Sequence, residues 1–125
     1  SAHVNLAVAS VQAGKFAEAE GDYRQALADK PTAETHNGLG YVLARQDRSE
    51  EAVREFRAAI EINPKFTPAY NNLAEALVKQ GKLEDAAEAY RRSLAEKPSP
   101  AVSNALGDVL HQMGRTDEAA AHASE

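Results

Sequence analysis

Four histidines, His3, His36, His111 and His122, are the first residues here whose type could support chemistry. A zinc site needs three or four ligands at fixed spacing. Neither His3 nor His36 has another His or a carboxylate three or four residues away, and His111 and His122 have no ligand spacing between them. Gly38 and Gly40 suggest a phosphate loop, but neither a third glycine nor a Lys-Ser/Thr ending follows. The acidic pairs Glu50-Glu51 and Glu84-Asp85 could serve acid–base catalysis, yet they fall where helices are predicted to begin and complement the helix dipole there. The absence of cysteine excludes disulfides, thiolate nucleophiles and Cys-ligated metals. No hydroxyl stands at catalytic spacing from a His and an acid. The expectation is a protein that is not an enzyme and needs no cofactor or metal.

Composition narrows the partners. Charged residues make up 26% and apolar ones 43% of 125, the balance of one ordinary globular domain. A net charge of -5 repels phosphate, and the only adjacent basic pair, Arg91-Arg92, sits among Glu84, Asp85, Glu88 and Glu96, so no nucleic-acid partner is expected. The longest uncharged stretch, Ser1 to Gly14, lacks the basic segment of a signal peptide and is too short to cross a membrane, so no membrane insertion is expected. The chain does not begin with Met, from which a fragment of a longer protein is expected.

The elements that must position any functional side chain emerge from a repeat. Leu6, Leu39, Leu73 and Leu106 share a column with spacings of 33, 34 and 33 residues. Each precedes a small residue: Ala7, Gly40, Ala74, Gly107. Turn residues follow at Gly14, Asp47, Gly81 and Gly114, then small ones at Ala19, Ala52, Ala86 and Ala119. The next column is Tyr23, Phe56 and Tyr90, broken by Ala123, and the last is Pro31, Pro64 and Pro98. Within each unit, apolar residues three and four apart mark two amphipathic helices. The Gly or Asp ends the first helix, where a left-handed backbone is cheap, and the Pro stops the second. The small residues suit close helix crossings.

These columns resemble the tetratricopeptide repeat (TPR), a helix-turn-helix unit with this small/large signature. The resemblance covers the whole chain as one domain: repeats 1–32, 33–66, 67–99 and a truncated 100–125. Two features depart from the family. Its early aromatic is His3, His36 and Ser103 here, with only Tyr70 conforming, and the last unit lacks its aromatic. The fold implied is an all-α, right-handed α-solenoid of about four repeats and eight helices, the eighth running from about Arg115.

In such solenoids the first helix of each pair lines the concave face. The resemblance therefore implies a peptide-binding groove built from Asn5, Val8, Asn37, Tyr41, Asn71, Asn72, Glu75, Asn104, Asp108 and His111, with Val4, Val11, Arg45, Lys79 and Gln112 beside them. Asn is a mediocre helix former, so a row of Asn needs a reason. Each amide can donate to and accept from a ligand's backbone, and some family members use such a ladder; local helix capping is the competing explanation. Val4, Val8 and Val11 form a second apolar stripe on the first helix, to be covered by an earlier repeat or by a partner. Glu75 and Asp108 make the far end acidic, and the segment from Pro100 carries one positive and four negative charges, which suits a basic ligand segment or simply solubility. Some TPR modules clamp a C-terminal carboxylate with Lys, Asn and Arg. The matching positions here are Val4, Val8, Gly38, Pro68 and Asn72, or one repeat later Asn37, Tyr41, Asn72, Ala101 and Ala105, and the cations are missing.

The expected function is a scaffold that binds a protein or peptide of unknown identity in its groove. Two alternatives stand beside it. One is a self-assembly element stacking through its end faces, including Ala119, Ala120 and Ala123, as a homo-oligomer or against further repeats. The other is the substrate-holding arm of a larger enzyme.

Overall fold

The computed structural model describes the backbone of residues 2–124 and the side chains of residues 4–114. Seven α-helices follow one another and, among the described residues, there is no strand: α1 (Ala2–Gln12), α2 (Phe16–Asp29), α3 (Ala33–Arg45), α4 (Ser49–Ile62), α5 (Thr67–Lys79), α6 (Leu83–Glu96) and α7 (Pro100–Ser124). Each helix packs on its sequence neighbours, and α3 also touches α5. This near-neighbour packing defines a solenoid.

The three turns inside the helix pairs are built alike. Gly14, Asp47 and Gly81 adopt φ of 76°, 61° and 77°. In each, the following N–H reaches back to a carbonyl five residues earlier: Lys15 to Ser10 at 2.8 Å, Arg48 to Leu43 at 3.0 Å, Lys82 to Leu77 at 2.9 Å. A left-handed residue plus this long return bond satisfies the carbonyls that a helix end leaves open. The second helices end at Lys30, Asn63 and Lys97, all extended, because the prolines that follow exclude the helical conformation. At the next helix start, the Thr32 hydroxyl accepts from Thr35 N at 3.1 Å and caps α3.

Close packing explains the small columns. Ala19, Ala52 and Ala86 are wholly buried, and Phe56 is 1% exposed. A Cβ on Gly40 would lie 2.5 Å from Phe56 Cε1, so only glycine lets that ring seat against α3. Burying such a side chain contributes on the order of 1.5–3 kcal/mol.

The fourth unit differs in helix count. A turn is expected at Gly114 with an eighth helix from Arg115, but α7 continues to Ser124. Gly114 does not take a positive φ. The physical reason lies in the sequence: where other repeats bring Tyr23, Phe56 or Tyr90 to anchor a returning helix, this one has Ala123. Without a ring to bury, continuing the backbone hydrogen bonds of α7 costs less than a turn.

Candidate peptide-binding groove

Two first helices, α3 and α5, meet around a hollow of about 250 Å³. The floor is Phe56, which reaches up from α4. Tyr41, Ala44 and Arg45 form the α3 wall; Asn72, Glu75, Ala76 and Lys79 form the α5 wall. The spacing follows from helix geometry, since positions 41, 44 and 45, and 72, 75, 76 and 79, each lie on one face. Tyr41 remains 39% exposed, so an aromatic surface faces solvent beside the hollow.

The two walls are tied at one end. Asn72 donates from Nδ2 to Asn37 Oδ1 at 2.9 Å. That bond uses one N–H of Asn72 and one lone pair of Asn37. The Asn72 carbonyl and the Asn37 amide keep capacity for a ligand's backbone.

The aromatic column continues along the solenoid. The Tyr23 ring lies against Gly38, where a Cβ would sit 2.5 Å from it. Tyr90 from α6 comes close to both Glu75 and Asp108. Its phenol is pushed up, first by burial and then by those two carboxylates. Arg45 stacks over the Phe16 ring, 5.3 Å from its centroid.

Other expected groove residues are not part of this hollow. Asn5 and Val8 are exposed on α1, and Asn104, Asp108 and His111 are exposed on α7. Asn71 is one residue, and so about 100° of helix rotation, from Asn72; it does not line the hollow, and its Oδ1 is buried without a hydrogen bond. Leu6 shares a column with Leu39 but is 55% exposed against 1%.

Several features were not visible in the repeat columns. Ala44 and Ala76, which leave the hollow open above the column residue Phe56, belong to none of those columns. His36 Nδ1 lies 2.9 Å from Glu55 Oε1, a partner 19 residues distant. Among the described residues, no group of three or more His, Cys, Asp or Glu could hold a metal. The side chains of His3, His122, Ala119, Ala120 and Ala123 lie outside the described residues. Among the described residues, no helix is long and apolar enough to cross a membrane.

A larger depression, about 610 Å³, opens at the turns around Asp47, Arg48, Glu51, Arg54 and Lys82. Every residue that lines it is polar or charged, so it offers no apolar side chain for a ligand to bury against. The smaller hollow, with its aromatic floor, is the better-built site.

A family model described as Tetratricopeptide repeat matches residues 4–65 and 71–125. The chain belongs to the tetratricopeptide repeat family, whose domains are generally non-catalytic interaction modules. Over 86 residues it is 37% identical to the peroxisomal targeting signal receptor of Eremothecium gossypii, covering 68% of this chain and 15% of that protein. Over 92 residues it is 30% identical to the Hsp70-Hsp90 organizing protein of Triticum aestivum, covering 73% of this chain and 16% of that protein. The chain thus spans about a sixth of these relatives' length. The first TPR of Spaghetti, solved bound to the HSP90 peptide SRMEEVD, superposes with a TM-score of 0.88 at 21% identity, covering 90% of this chain and 94% of that one. The fold is a right-handed helical solenoid of this family.

Proposed function

We propose that this chain is a protein-interaction module that holds an extended segment of a partner protein along its first helices. The observation that carries this is the hollow between α3 and α5, with Phe56 as its floor and the Asn37–Asn72 bond at its end. An apolar floor with a few fixed polar groups is how a surface binds a peptide specifically. The peptide-bound structure of the Spaghetti domain supports the same use of this fold. In the proposed groove Tyr41, Asn72 and Glu75 touch the ligand, Asn37 orients Asn72, and Val8, Asn104, Asp108 and His111 extend the contact along repeats 1–32 to 100–125. No catalytic role is proposed.

The test is affinity capture followed by mass spectrometry, comparing the chain with a Tyr41→Ala/Asn72→Ala/Glu75→Lys variant of equal helicity and melting temperature. A protein captured by the first and lost by the second supports the groove. Identical captured sets would overturn it.

The exposure of Leu6 (55%) and Val8 (42%) on α1 favours a second role, stacking of that end face on another copy or on a further helical repeat. Sedimentation velocity across a concentration series decides it. Mass that rises with concentration and falls back in Leu6→Gln supports stacking of copies, and a constant monomer mass excludes it.

A further inference from the structure

We infer that the hollow over Phe56 receives a large apolar side chain of the bound segment and that Arg45 and Lys79 hold a carboxylate immediately beside it, so that the partner presents an apolar–acidic motif. This rests on the groove being the binding surface. A volume of about 250 Å³ falls below the roughly 300–1,000 Å³ of small-molecule sites. It suits one side chain, seated between Ala44 and Ala76.

Charge complementarity sets what accompanies that side chain. Arg45 and Lys79 occupy the same register of successive first helices and flank the hollow from opposite walls. Among the described residues neither is ion-paired, a state they share with most other lysines and arginines of the chain, so both can meet a carboxylate. Both stand in the last turn of their helices, where the dipole favours a cation. α1, α2, α4 and α6 carry no basic residue within the last turn itself, although Lys30 and Lys97 cap α2 and α6. Basic last turns occur on the two helices that face each other across the hollow.

Stacking on Phe16 also holds the Arg45 guanidinium by its face, leaving the edge N–H groups open to a carboxylate. Against a chain of net charge -5, two such cations make a local exception. Glu75 gives the segment its direction. It lines the hollow itself, one turn before Lys79, so it repels a carboxylate from that stretch and leaves the end bearing Arg45 and Lys79 as its place. This subsite lies at other registers than the carboxylate clamp whose cations the sequence lacks.

The test pans random peptides displayed on phage against the intact chain, then measures the enriched peptides by fluorescence anisotropy. Enriched sequences should pair a large apolar residue with an adjacent Asp or Glu. Arg45→Glu/Lys79→Glu, shown to fold by circular dichroism, should weaken them about tenfold or more, and raising the salt should weaken the unmodified complex several-fold. Ala44→Leu, which fills the hollow, should abolish the apolar preference. If the enriched peptides depend on Tyr41, Asn72 and Glu75 but show no acidic preference, or a basic one, the inference fails and groove binding stands. If no peptide is enriched, or enrichment ignores those three residues, both fail.

Discussion

Asn72 on α5 donates its Nδ2–H to Asn37 Oδ1 on α3 at 2.9 Å, joining first helices of successive repeats across 35 residues of chain. A half-buried amide pair of this kind contributes a net of about 0.5–1.5 kcal/mol. A double-mutant cycle of Asn37→Ala and Asn72→Ala, followed by urea unfolding, should return a coupling energy in that range. A coupling near zero would mean that water replaces the bond without cost.

The small-residue column should respond unequally to one added methyl. Gly40→Ala drives a Cβ to 2.5 Å from Phe56 and should destabilise by about 1–3 kcal/mol. A Cβ at Gly107, two repeats further along the same column on α7, meets nothing within 4 Å. Gly107→Ala should stabilise by about 0.5–1 kcal/mol through helix propensity. Melting temperatures shifting in opposite directions would confirm this, and equal shifts would refute it.

The middle turn is suboptimal in a way the other two are not. Asp47 holds a φ of 61°, where its equivalents are Gly14 and Gly81. Asp47→Gly should relieve up to about 1 kcal/mol, and Gly81→Ala should cost about 1–2 kcal/mol. Chemical denaturation of both variants checks the pair.

Glu20 links α2 to the next pair and should shape the acid limb of stability. Burial alone would raise its pKa. Hydrogen bonds from Gln46 (3.1 Å), Arg24 (3.0 Å) and Arg48 (2.8 Å) outweigh that, so the carboxyl titrates below its ordinary value. A depressed folded pKa adds stability above the unfolded pKa, and that stability is lost as pH falls through the folded one. Glu20→Gln should therefore lower the melting temperature at neutral pH and flatten its decline below about pH 5. A parallel acid limb in the variant would show that other carboxylates set it.

The sequence by itself determined whatever depends on a few neighbouring residues. The glycine or aspartate turns, the proline stops and the two helices of the first three repeats were legible because caps and φ preferences act within a turn of helix. The buried Ala and aromatic columns were legible too, since each recurs at one register. The hollow between α3 and α5 was not legible. Asn37 shares its column with Asn71, yet it bonds to Asn72, because helices packed side by side are offset by their crossing and not by their numbering.

Tertiary structure decided what depends on who the neighbour is. Leu6 and Leu39 carry the same code, and one is 55% and the other 1% exposed, because only the second lies beneath another helix pair. Gly114 reads as a turn in the same column as Gly81, but α7 runs through it. A turn is stable only when the returning helix has something to bury, and the hollow over Phe56 exists because Ala44 and Ala76 on neighbouring helices leave room there. Those are properties of the packed interface between helices, which no single repeat contains.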